Sequence, residues 1–74
     1  MKHSTYRIIG QALTDTSQAP RGEGIFYRCE DCGDIVTSIP KDNIRCSCRN
    51  IVIDIEYVCL MIRDFSVFTV LEKQ

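Results

Sequence analysis

An all-β fold, small and antiparallel with no long helix, is what three features of this 74-residue chain predict. Ile51, Ile53, Ile55 and Tyr57 alternate with Asp54 and Glu56, the two-residue period of a half-buried strand. β-Branched and aromatic residues gather in short runs separated by Gly, Pro, Asp and Asn, as strands joined by turns require. Two close cysteine pairs, Cys29-Glu30-Asp31-Cys32-Gly33 and Cys46-Ser47-Cys48, sit at the ends of such runs.

The first strand is expected over residues 6–13, where Tyr6, Ile8 and Ile9 make an apolar patch despite Gly10. Residues 14–24 are polar and punctuated by Gly and Pro, which reads as a long loop, either functional or a flexible connector, the connector being favoured. Ile25-Phe26-Tyr27-Arg28 has strand composition and runs into the first cysteine pair; Ile35-Val36-Thr37 leaves it. Pro40-Lys41-Asp42-Asn43 is a turn, because proline presets its backbone angle and Asp and Asn tolerate left-handed geometry. Ile44-Arg45 enters the second pair. The thirteen residues between Cys32 and Cys46 are therefore expected to hold a strand, a turn and the start of a returning strand.

From Ile51 the alternation runs to Tyr57, after which Val58, Cys59, Leu60, Met61 and Ile62 are apolar on both faces until Arg63. Either both faces are covered or a bulge flips the register. A helix over residues 57–64 is the main alternative, disfavoured by its β-branched and aromatic neighbours. Residues 64–66 turn the chain, and Val67-Phe68-Thr69-Val70-Leu71 forms the last strand before Glu72-Lys73-Gln74. No repeat, low-complexity tract or second domain interrupts residues 1–74, which read as a single domain.

The cysteines carry the chemistry. A structural zinc ion needs four soft ligands that two tight turns aim at one point. Here C-x-x-C is followed by Gly33, free to take the left-handed conformation of such a turn, and a tighter C-x-C supplies the other two sulfurs. One structural Zn2+ on Cys29, Cys32, Cys46 and Cys48 is the expectation. A disulfide framework suits it less, given five cysteines and the polar start Met1-Lys2-His3-Ser4-Thr5, which argue for a reducing compartment. A redox C-x-x-C should open a helix, whereas a strand follows Cys32. Four thiolates leave no open position for water, and no nucleophile sits beside a histidine base, so a non-enzyme is expected.

Size favours the same reading, since a domain this small buries too little surface to be comfortably stable without a staple. Net charge is −1 with neutral thiols, and four thiolates around Zn2+ take it to −3. With a pI of about 5.7, the chain lacks the basic balance of a nucleic-acid binder. Its longest apolar run, ended by Arg63 and Asp64, falls short of the roughly 18 residues of a membrane span. A cytoplasmic protein off the membrane is expected.

Other constellations have plainer explanations. Cys59 lies in the apolar run and is expected to pack as a core thiol. His3, near a terminus, is a weak candidate for a replacement ligand. Asp54 and Glu56 share a strand face, which reads as the polar side of the sheet rather than an acid/base pair, with Asp64 following after the run. Glu30, Asp31 and Asp34 cluster at the first cysteine pair, with Arg45 and Arg49 at the second and Arg28 and Lys41 nearby; cations there offset the negative thiolate centre. Phe65, Val67, Phe68, Val70 and Leu71, added to the 58–62 run, give more apolar area than so small a sheet easily encloses. An exposed contact surface for self-association or a protein partner is expected, unless two-layer packing absorbs it.

Through Cys29-x-x-Cys32-Gly33 and Cys46-x-Cys48 the chain resembles the zinc-ribbon class. Across Gly24-Ile25-Phe26-Tyr27-Arg28-Cys29 and Ser38-Ile39-Pro40-Lys41-Asp42-Asn43-Ile44 it also looks like small stand-alone bacterial zinc-ribbon proteins, among them immunity proteins of polymorphic toxin systems. That resemblance implies a domain that binds one toxin tightly and blocks it. Glu23, Glu30, Asp31 and Asp34 would then fill a basic cleft of the partner. The alternative is a nucleic-acid- or ribosome-associated ribbon using Arg28, Lys41, Arg45 and Arg49, with Tyr27 as a stacking ring.

Overall fold

The computed structural model describes residues 6–57 and 59–73. Among them, seven strands form two antiparallel sheets, and the helical elements are two 3-10 turns, Thr16–Gln18 and Phe65–Val67. In the first sheet the order is β1 (Tyr6–Gly10), β7 (Phe68–Lys73), β2 (Ile25–Cys29), β3 (Ile35–Thr37). In the second it is β4 (Ile44–Arg45), β5 (Ile51–Asp54), β6 (Cys59–Ile62). No helix among the described residues is long and apolar enough to cross a membrane.

The core lies between the sheets. Alternation on β5 sends Ile51 and Ile53 inward, where they meet Tyr27, Val36, Phe68 and Val70. Phe68 packs against Tyr27 and edge-on against Phe65, with ring centroids 5.3 and 6.0 Å apart. β7 is flanked by β1 and β2, and Phe68, Thr69, Val70 and Leu71 are all buried. On the outer face of that sheet Leu71 stands in register between Ile8 and Phe26.

Several expectations need correction. The two cysteine pairs are not joined by a hairpin: β3 pairs with β2 and β4 with β5, so the 40–43 turn carries the chain from one sheet to the other. The 51–57 strand stops at Asp54. Asn43 Oδ1 accepts the Ile55 N–H (2.9 Å) and Asp54 Oδ1 accepts the Glu56 N–H (3.0 Å), so side-chain acceptors draw the backbone out of the ladder. Of the apolar run that follows, the described residues Cys59–Ile62 are neither covered on both faces nor bulged and fold back as β6, with Leu60 opposite Ile53 and Met61 exposed. Cys59 is half-buried opposite Asp54, outside the core that was expected to hold it. Glu56 sits in the turn, so it shares no strand face with Asp54.

The expected C-terminal apolar surplus is absorbed by two-layer packing. Phe68, Val70 and Leu71 are buried, and Phe65 and Val67 pack against the core from the 3-10 turn. Residues 14–24 are tied down rather than a bare connector. Asp15 and Gln18 form a reciprocal cap on the Thr16–Gln18 turn, the Tyr27 hydroxyl donates to the Pro20 carbonyl (2.8 Å), and the Ser38 hydroxyl bonds both the N–H and the C=O of Gly22 (3.0 Å each).

Candidate metal centre

Each sheet supplies one cysteine turn. β2 ends at Cys29, and the chain reverses through two backbone bonds, Gly33 N–H to the Cys29 carbonyl (2.7 Å) and Cys29 N–H to the Asp34 carbonyl (2.9 Å). Gly33 has φ +79°, and a Cβ there would touch nothing, so glycine serves the turn through its conformation alone. Between β4 and β5, Arg49 N–H donates to the Cys46 carbonyl (2.9 Å) and Cys46 N–H to the Ile51 carbonyl (3.0 Å). The left-handed residue of this second turn is Arg49, at φ 64°. No glycine marked it in the sequence.

The two turns converge. The sulfurs of Cys29, Cys32, Cys46 and Cys48 all lie within 4.8 Å of one another, the one such cluster of metal-binding side chains among the described residues. Cys29 and Cys48 are 3.3 Å apart and Cys46 and Cys48 3.7 Å. A tetrahedral ion with metal–sulfur bonds of about 2.3 Å holds its ligands about 3.8 Å apart. A disulfide would need about 2.05 Å. The four residues therefore fit one small ion with little adjustment. Cys29 and Cys46 are buried and Cys32 and Cys48 half-buried, which puts the cluster where the core meets the surface. No helix follows Cys32, as a redox pair of the thioredoxin kind would need.

Backbone donors prepare some of these sulfurs for negative charge. The N–H groups of Asp34 and Cys48 pull the Cys32 thiol down to about 7, and the Ile51 N–H points at the Cys46 sulfur (3.3 Å). Burial pushes the Cys29 thiol up, and hydrogen bonding to Cys29 pushes the Cys48 thiol up to about 12. Four sulfurs this close cannot all be anionic without a cation among them, a charge balance that a divalent ion would supply.

Two acidic residues at the first turn bind neighbours within the fold. Asp34 accepts the backbone N–H of Ser47 (2.7 Å) and its hydroxyl, which holds its carboxyl below the ordinary range. Glu30 accepts the Thr69 hydroxyl and Arg28 Nε (2.8 Å each), tying the turn to β7. Glu23 and Asp31 are exposed. Asn50, which carried no signal in the sequence, is buried and bonds both the N–H (2.6 Å) and the C=O (3.0 Å) of Asp64, anchoring the second turn to the start of the Phe65–Val67 turn. Of the residues considered for nucleic-acid contact, Arg45, Arg49 and Lys41 are exposed and Arg28 is paired with Glu30. Tyr27 is 2 % exposed with its hydroxyl engaged, so it cannot serve as a stacking ring. His3 lies outside the described residues.

Compared with protein-family models, with curated proteins and with solved structures, the chain finds no match.

Proposed function

We propose that the chain is a zinc-stapled protein-binding module, and in its sharpest form an immunity protein that binds and inhibits a cognate bacterial toxin. The observation that carries the structural-zinc part is the convergence of four cysteine sulfurs, two from each sheet, at the spacing of a tetrahedral thiolate site. All-sulfur tetrahedral sets select zinc or iron, and zinc, without redox chemistry of its own, suits a staple. When bound, the ion supplies charge neutralisation and a cross-link between the sheets. Cys29 and Cys32 would hold it from the first sheet, Cys46 and Cys48 from the second. A shell closed by four sulfurs favours a non-enzyme.

The immunity form rests on the resemblance across Gly24–Cys29 and Ser38–Ile44, and it makes the chain a cytoplasmic protein with one protein partner. The ribosome- or nucleic-acid-bound alternative is weakened by the burial of Tyr27 and the pairing of Arg28 with Glu30. Elemental analysis of protein purified without chelator tests the metal: one zinc per chain supports the reading, while iron or no metal overturns it. Reading the adjacent coding sequence in the source genome, and co-expressing the chain with its product, tests the rest: the absence of a toxin domain there overturns the immunity form. Restored growth together with a stoichiometric complex is expected. Absence of both, with a salt-sensitive RNA complex instead, would favour the alternative.

A further inference from the structure

The β5–β6 hairpin tip and the 40–43 turn carry a surface that the metal centre does not use. At the tip Tyr57 is 79 % exposed and Ile55 38 %, with Met61 on β6 at 48 %. Beside them Asp42, Asn43, Ile55 and Glu56 line an open groove of about 420 Å³. The Asn43 and Asp54 side chains capture the N–H groups of Ile55 and Glu56 and so anchor the first half of the tip. A tyrosine offers a large contact area at small entropic cost, and tyrosine and methionine are enriched at protein interfaces.

Charge selects the occupant. Asp42, Asp54 and Glu56 are acidic, and the single cation on these two turns, Lys41, does not line the groove. Neither Asp42 nor Glu56 belongs to the Arg7–Glu72 or Arg28–Glu30 ion pairs of the described residues. A second copy docking symmetrically would set these carboxylates against themselves, and nucleic acid would set phosphates against them.

Resting on the protein-binding reading above, we propose that this tip docks a basic protein surface: a partner's arginine or lysine enters the groove between Asp42 and Glu56, and an apolar neighbour covers Ile55 and Tyr57. Arginine would also stack on the tyrosine ring.

Amide NMR of the zinc-loaded protein tests this with two blocked peptides, Ac-Leu-Arg-Leu-Arg-NH2 and its Glu-for-Arg counterpart. The arginine peptide is expected to shift the amides of Asn43, Ile55, Glu56 and Tyr57, and the acidic peptide to leave them in place. The double variant Asp42→Lys/Glu56→Lys, on exposed turns, should keep the dispersed spectrum and weaken the arginine peptide about tenfold or more. No shift at millimolar peptide, shifts centred on Glu23 or Asp31, or an equal response to the acidic peptide would overturn the proposal. So would tip shifts produced by protein concentration alone or by an RNA oligonucleotide. A captured partner whose cross-links fall elsewhere sinks this site and spares the module reading; the absence of any protein partner sinks that reading itself.

Discussion

The Asp34 carboxylate accepts both the backbone N–H and the hydroxyl of Ser47, so the residue just past the first cysteine turn grips the residue between the two cysteines of the second. This clamp joins the sheets without help from an ion. It holds both turns at the separation that coordination needs.

Asp34→Asn should therefore weaken zinc binding by about 10- to 100-fold, the usual cost of losing a group that orients metal ligands. Competition with a chromophoric chelator measures it, and an unchanged affinity would show the clamp to be incidental. The pH sign follows from the direction of the shift. Ser47 lowers the Asp34 pKa, so the clamp contributes fully above the ordinary carboxylate range and is lost as pH falls through the lowered value. In the metal-free protein, the stability difference between wild type and variant in chemical denaturation should shrink in acid.

Chelation should open the second sheet first. A structural zinc contributes about 10–16 kcal/mol in small peptides, comparable to or larger than the roughly 5–15 kcal/mol net stability of a whole domain. β5, though paired on both sides like β7, has only four residues and its neighbours β4 and β6 two and four, whereas β7 has six. Hydrogen exchange after EDTA is expected to lose protection at Ile51–Asp54 before Phe68–Lys73. Simultaneous loss would mean that the two sheets unfold as one unit.

Cysteine replacement separates ligands from bystander. Serine at Cys29, Cys32, Cys46 or Cys48 should abolish stoichiometric metal retention. Cys59→Ser should keep one equivalent and a native spectrum, because Cys59 is half-buried and outside the sulfur cluster. Metal loss in that variant would contradict the assignment.

Tyr27→Phe removes the hydroxyl that holds Pro20 and should cost about 1 kcal/mol. The more specific readout is trypsin cleavage after Arg21, one residue beyond the tether, which should quicken while sites within strands stay protected. Phe68→Ala, which empties a fully buried position against Tyr27 and Phe65, should cost about 3–5 kcal/mol in chemical denaturation.

Local chemistry was legible before the fold was known. Gly33 after C-x-x-C, the 40–43 turn and the Ile51/Ile53 alternation each depend on residues a few positions apart, and each appears where those rules put it. The alternation misled at Ile55 and Tyr57 because hydrophobic period does not see hydrogen bonds. Asn43, twelve residues away from Ile55, captures its N–H and ends the strand.

Composition and spacing alone thus determined that the chain is all-β and which four sulfurs can share an ion. Tertiary structure decided that β7 comes back to lie between β1 and β2, that the cysteine pairs belong to different sheets, and that the C-terminal apolar residues are interior while Tyr57 is not. The division has a physical reason. A turn closes over a handful of dihedrals and declares itself in its own residues, whereas the partner of a strand is chosen by burial against segments far along the chain, such as Cys29 with Phe68 or Tyr6 with Lys73.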